Sequence, residues 1–293
     1  MRSLLHLRKK LLPASLLLGW MLLICATAQA SDKIVIKGSD TLGAKLMPRL
    51  KEEFIAQKKN QGETVTFEIS AEGSRTGIAA IIDGKADLAM SSRELQSSEL
   101  SAANAKGVKL EPIPVGVDGI AIIVNEDNPL KKLGLREIEM IFTGDVEDWS
   151  AISPMSGNIS IYTRNTSSGT YSLFQRLSLH RRNYSPFAQK LAGNEQIAAE
   201  VAHNPYGVGY VGLAYIHTPG VKVLPVDGKM PSNNSYPLAR PLYLYVDVSK
   251  ERTPIVQEFI DFIVSPEGQA VVESVDFLPA SRMNEIYLDS DTE

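Results

Sequence analysis

The stretch Ile159-Ser-Ile-Tyr-Thr-Arg-Asn-Thr-Ser-Ser-Gly-Thr-Tyr-Ser-Leu-Phe-Gln175 decides how the rest of the chain is read. Ile159 and Ile161 alternate with polar neighbours as in a short strand, Thr163 to Ser168 is turn-like, and Tyr171, Phe174 and Leu177 recur at helical spacing. Arg164 stands at the loop entrance with a planar fork of donors suited to a tetrahedral anion. Ser168, Gly169 and Thr170 fall where a helix leaves its first N–H groups unpaired, and such ends attract anions. The same residues also fit a plain N-cap, Ser167 or Ser168, beside a surface arginine. Repetition of the unit favours the anion reading.

Working outward, Ser31 to Lys37 is strand-like and runs into Gly38-Ser-Asp-Thr-Leu42, after which Leu46, Leu50, Phe54 and Ile55 form a helical apolar face up to Gln57. Thr64 to Ser70 alternates as a strand and enters Glu72-Gly-Ser-Arg-Thr-Gly77, with Ile78, Ile81 and Ile82 on a helix ending near Asp83-Gly84. Asp87 to Met90 is a short buried strand leading through Ser91-Ser-Arg93 to a helix carrying Leu95 and Leu100. Strands alternating with helices predict an α/β chain with mainly parallel sheets, whose ligands collect at the carboxyl ends of strands.

Val108 to Val124 is mostly apolar, interrupted by Pro112, Pro114 and Asp118-Gly119, and predicts a strand leaving a first lobe followed by a strand beginning a second. Short helices are expected over Leu135 to Ile141 and Asn194 to Ala202, with a glycine-spaced strand around Gly207 and Gly209. Tyr236 to Val246 reads as a return strand, and Ile255 to Val264 with Gly268 to Ser274 as helices that rejoin the first lobe.

The first thirty residues have a basic start (Arg2, Arg8, Lys9, Lys10), an apolar run from Leu11 to Ala26 and the small-residue exit Ala28-Gln-Ala30. This is the pattern of a secretory signal peptide cleaved after Ala30. The run contains Pro13 and is shorter than the ~18 to 20 residues a membrane span needs. The chain holds 30 Lys+Arg against 34 Asp+Glu, a formal charge of −4, and loss of those four cations leaves −8. Such a chain lacks the general basic field of a nucleic-acid or anionic-membrane binder, so a bound anion must be held by local groups. Its one cysteine, Cys25, lies in the leader, which leaves no disulfide, thiol nucleophile or cysteine metal site after cleavage.

Gly38-Ser-Asp-Thr41, Glu72-Gly-Ser74, Asp87 with Ser91-Ser-Arg93, Arg164 with Ser168-Gly-Thr170, Gly207-Val-Gly-Tyr-Val211 and Tyr236-Pro-Leu-Ala-Arg240-Pro-Leu242 occur in one order over the whole exported chain. In this order they resemble the periplasmic phosphate-binding proteins of ABC importers. The resemblance implies an α/β, two-lobed periplasmic-binding-protein fold, each lobe a mainly parallel sheet flanked by helices, with the ligand in the interlobe cleft. Residues 31–116 plus 244–293 would form lobe I and 117–243 lobe II. The implied phosphate set is Ser39, Asp40, Thr41, Leu42, Ser74, Ser92 and Arg93 from lobe I, with Arg164, Ser168, Gly169 and Thr170 from lobe II. No cofactor, metal or catalytic residue is implied. The partners would be inorganic phosphate and the membrane permease of an ABC importer, with no nucleic acid and no membrane insertion once the signal is cleaved, in the periplasm.

Two departures bear on selectivity. Ser92 stands where many relatives carry an aspartate that accepts the proton of hydrogen phosphate, and Arg75 stands where a small residue is usual. Asp40 is the candidate to supply the missing carboxylate, the alternative being a simple helix cap. Sulfate or molybdate, or a secreted signalling or adhesion role, stay open as other readings. An enzyme is disfavoured: His180, His203 and His217 have no paired-ligand spacing, Ser168 lacks the G-x-S-x-G elbow, and Asp145 with Asp148 reads as a solvated turn.

Overall fold

Strand β1 (Asp32–Gly38) buries Ile34 and Ile36 on alternate positions and stops at Gly38, where the chain turns into the first helix. The computed structural model describes residues 32–233 and 235–284, so the expected signal peptide and the acidic end of the chain lie outside the described residues. After β1 come α1 (Asp40–Gly43), α2 (Leu46–Asn60), β2 (Val65–Ser70), α3 (Ser74–Ile82), β3 (Leu88–Ser91), α4 (Ser97–Ala105) and β4 (Leu110–Gly119). The second sheet begins with β5 (Ala121–Asn125), then α5 (Leu135–Thr143), β6 (Ser160–Arg164), α6 (Gly169–Leu177), β7 (Gln189–Leu191), α7 (Asn194–His203), β8 (Gly207–Val211) and β9 (Val221–Leu224). The chain returns through β10 (Ala239–Asp247) to α8 (Pro254–Val264), α9 (Pro266–Glu273) and β11 (Leu278–Pro279).

The first sheet has the order β11-β4-β10-β3-β1-β2 and the second β7-β6-β8-β5-β9. Parallel pairing holds within β2-β1-β3 and β7-β6-β8, where helical crossovers join the strands. The expectation of mainly parallel sheets needs correction, because β10 is antiparallel to β3 and β4, and β5 to β8 and β9. For β10 and β4 the cause is the double crossing: β4 leaves the first sheet and β10 re-enters it, so the two neighbours run in opposite directions. Where the sequence places lobe edges at 116/117 and 243/244, the first sheet keeps β4 and β10 paired as far as Gly119 and Ala239.

Each sheet is covered on both faces. On the first, α2 and the returning α8 meet through Phe54, whose ring lies 5.1 Å from Phe259 and 5.6 Å from Phe262, while Ile78, Ile81 and Ala103 of α3 and α4 cover the other side. On the second, α7 contributes Ile197 and Val201, and α5 and α6 place Ile138, Phe142 and Phe174 opposite. Phe142 and Trp149 are core residues, as packing arguments expect of aromatics, and the Trp149 indole donates to the carbonyl of Tyr206 at 3.1 Å.

Gly38 fixes how close β1 and β3 can come at the site. Its φ is +138°, and a Cβ there would lie 2.2 Å from the carbonyl oxygen of Met90. Gly38→Ala therefore lowers the unfolding free energy by at least about 1–3 kcal/mol, the cost of a strained backbone residue. An unchanged denaturation midpoint would contradict this.

Candidate anion-binding site

The second-sheet half grows from β6 and α6. Leu173 and Phe174 pull α6 onto the sheet, and Ser168 caps the helix by accepting from the N–H of Tyr171 at 3.3 Å. Arg164, at the end of β6, is 1% exposed. Its backbone N–H donates to the hydroxyl of Tyr210, which also contacts Thr163 at 2.6 Å and Tyr184 at 3.2 Å. Its guanidinium donates through Nε and Nη2 to the carbonyl of Ala192. The remaining Nη1 lies 3.2 Å from Asp40 Oδ2 and has no hydrogen bond, although buried. Burial pulls this guanidinium below its ordinary value and Asp40 opposes the shift, but an arginine remains charged.

The first-sheet half collects residues from three turns. Ser39, Thr41 and Leu42 are buried around the start of α1, where the Ser39 N–H is anchored on the carbonyl of Met90 at 2.9 Å. Ser74 opens α3, and its hydroxyl accepts from the Ser92 N–H at 3.2 Å and contacts the Ser92 hydroxyl at 3.4 Å. The halves meet directly: Thr41 Oγ1 lies 3.3 Å from Thr170 Oγ1, and a Cβ on Gly169 would fall 2.2 Å from Ser74 Oγ and 2.9 Å from Ser92 Oγ. Five of the expected residues, Thr41, Ser74, Ser92, Gly169 and Thr170, are thus brought into one polar cluster.

Arg93 is placed differently. It donates to both carboxylate oxygens of Glu99 and to the carbonyl of Glu94, so its charge is spent on α4. Arg75 is exposed on α3 and lines a surface groove with Asp83, Glu99 and Lys106. Asp40 turns toward α7: its Oδ2 accepts from the backbone N–H of Asn194 at 3.0 Å and the side-chain amide at 2.7 Å. A carboxylate at the first turn of a helix is favourably placed.

Sequence reasoning did not assign site roles to Arg240 and Asp118. They face each other in the β4–β10 ladder, almost wholly buried, with Arg240 Nη2 2.6 Å and Nε 3.0 Å from Asp118 Oδ2. Arg240 Nη1 donates to Thr170 Oγ1 at 2.7 Å and Nη2 to Thr41 Oγ1 at 3.4 Å. Burial pushes the Asp118 carboxyl up, opposed by Arg240 and the N–H of Leu213. The available signal was a charged residue inside each of two apolar strands, since such residues are rarely buried unless paired.

This arrangement is rich in donors and poor in bases. His203 Nδ1 contacts the carbonyl of Ala199, Asp145 is held by Arg182, and Asp148 accepts from Ser150 and Gly157. Among the described residues no group of three or more His, Cys, Asp or Glu side chains could hold a metal. No described helix is long and apolar enough to cross a membrane.

A family model described as PBP superfamily domain matches residues 26–267. The chain belongs to the PBP superfamily. Among curated relatives, the phosphate-binding protein PstS of Pseudomonas aeruginosa is 32% identical over 269 residues, covering 83% of this chain and 81% of that protein. Protein SphX of Synechococcus elongatus is 28% identical over 247 residues, covering 78% and 72%. A putative phosphate ABC transporter substrate-binding protein from Clostridium perfringens, solved with bound phosphate, superposes with a TM-score of 0.77 at 29% identity, covering 85% of this chain and 99% of that one. An ABC-type phosphate transport receptor from Vibrio cholerae gives 0.66 at 27% identity, covering 84% and 99%. This superfamily member shares with them a two-domain α/β fold, and its polar cluster sits between the two sheets.

Asp40 can act on an anion through Arg164 or directly. Its Oδ2 takes both donors of Asn194 and lies beside Arg164, so the expected effect of Asp40→Asn is positional: phosphate and sulfate both bind more weakly by about 1.5–3 kcal/mol, the worth of a hydrogen bond to a charged group. Competition calorimetry checks this. A variant that gains sulfate affinity while losing phosphate would instead make Asp40 the acceptor of the phosphate proton.

Proposed function

We propose that this chain captures inorganic phosphate in the cleft between its two sheets and delivers it to the membrane permease of an ABC importer. Two observations carry the reading: the buried Arg164 guanidinium keeps an Nη1 without a hydrogen bond, and the two sheets bring their hydroxyls together in one cluster. A cation and neutral donors in a dry site hold an oxyanion strongly, because charge-assisted hydrogen bonds are about twice as strong as neutral ones. The phosphate-binding names of the relatives at 32% and 29% identity support the same ligand. A buried cation with hydroxyl donors is what a binder needs, since holding an oxyanion requires no proton transfer. It works outside the cytoplasm, exported by the leader ending at Ala30.

A second reading, another tetrahedral oxyanion such as sulfate or molybdate, is favoured by one feature: position 92 presents a hydroxyl, which repels nothing. Both readings are tested by thermal unfolding of ligand-stripped protein with phosphate, sulfate, molybdate or no anion. A ligand bound only by the folded state at a hundred times its Kd adds about 2.7 kcal/mol of stability. Phosphate is expected to give the largest rise in Tm. A larger rise with sulfate or molybdate would establish the second reading, and no rise with any anion would remove both.

A further inference from the structure

We propose that Arg240 is a positioning residue of the cleft, held by Asp118, which consumes acceptor lone pairs of Thr41 and Thr170 and thereby keeps both hydroxyls as donors toward a bound anion. The inference rests on the oxyanion reading of the cleft and goes beyond it by assigning a polarity to its hydroxyls.

A guanidinium has five N–H donors and no acceptor. In Arg240 all five have destinations: Nε and one Nη2 hydrogen on Asp118 Oδ2, the other Nη2 hydrogen on Thr41 Oγ1, and the two of Nη1 on Thr170 Oγ1 and the carbonyl of Ser92. The side chain is 1% exposed, so water does not compete for these partners. A hydroxyl that accepts from a guanidinium must aim its own hydrogen elsewhere. Thr41 and Thr170 are 3.3 Å apart, and their mutual contact consumes at most one of their two hydrogens. At least one hydroxyl hydrogen is therefore left over from that contact and available to an anion, and both become available if the contact opens.

The location adds a second consequence. Arg240 and Asp118 are register partners where β4 leaves the first sheet and β10 re-enters it. From there one side chain touches the α1 turn, the turn after β3 and the start of α6. Donors from both sheets are thus oriented by a group at the crossing itself. Asp118 holds that group in place, and its Oδ1 also accepts from the Leu213 N–H at 2.7 Å.

Removing Arg240 alone would leave a buried carboxylate unpaired, so the test uses Arg240→Met with Asp118→Asn, which keeps an acceptor for Leu213. This pair is expected to melt near wild type without anion and to bind phosphate and sulfate about tenfold more weakly by a common factor, as loss of oriented donors implies. In that background Thr170→Val is expected to cost less than about twofold, against about tenfold in wild type, a coupling that a purely structural role would not produce. A double variant with wild-type Tm and wild-type phosphate affinity would overturn the inference, as would equal costs of Thr170→Val in both backgrounds. Should the double variant fail to fold, Arg240→Lys decides: it keeps the charge beside Asp118 but not the fork, so phosphate affinity should drop several-fold, and full affinity would overturn the inference. Wild-type protein that binds none of phosphate, sulfate and molybdate would remove the oxyanion reading, and this inference with it.

Discussion

Arg164→Ala is expected to weaken phosphate binding by about 2–5 kcal/mol, the range for truncating one member of a buried charged pair. The side chain is 1% exposed and carries the hydrogen-bond-free Nη1, so nothing from solvent replaces it. Two further groups lose partners in the variant: the carbonyl of Ala192 loses two donors, and Asp40 loses its cation. Arg164→Lys should recover only part of the affinity, because a point charge cannot hold Ala192 through two nitrogens and also face the cleft. Titration calorimetry reads both variants. Unchanged phosphate affinity in Arg164→Ala would take Arg164 out of the site.

Gly169→Ala is expected to separate closure from folding. In the closed arrangement the added Cβ would lie 2.2 Å from Ser74 Oγ, whose position is fixed by the N–H of Ser92. Overpacking of this kind costs about 1–3 kcal/mol, and it falls on the closed state because the clashing atoms belong to different sheets. Phosphate affinity should fall by that amount while the Tm of anion-free protein stays near wild type. Hinge closure predicts that wild-type protein contracts on binding phosphate, so small-angle scattering should show a smaller radius of gyration with ligand. Gly169→Ala should contract less at saturation. An equal contraction with equal affinity would mean that the halves do not approach each other at Gly169.

The strand–turn–helix units were legible in the residues themselves. Ile34 and Ile36 alternate, Leu46, Leu50 and Phe54 recur on one helical face, and each turn carries small hydroxyl residues. These signals are local: side-chain period, capping chemistry and apolar spacing act within a few residues of one another. The resemblance carried the two-lobed fold, and the return of the C-terminal helices to the first sheet is visible in the Phe54, Phe259 and Phe262 contacts. Pairing direction was not legible, because the same apolar strand can sit beside a parallel or an antiparallel neighbour. Only the double crossing made β10 antiparallel to β4.

The partners of the charged side chains were decided by the tertiary structure. Arg93 stands next to Ser92 in sequence, yet a bidentate contact with Glu99 directs it to α4. Asp40 sits in a hydroxyl-rich turn, but the start of α7 from the other sheet supplies its donors. Arg240 and Asp118 lie 122 positions apart and become partners only when the two crossing strands pair. A long polar side chain can reach several candidate partners from its own backbone position, and which one it meets depends on elements far away in the chain. The sequence by itself therefore determined which groups this protein has to offer an anion, whereas the packing of its two sheets determined which of them are free to face one.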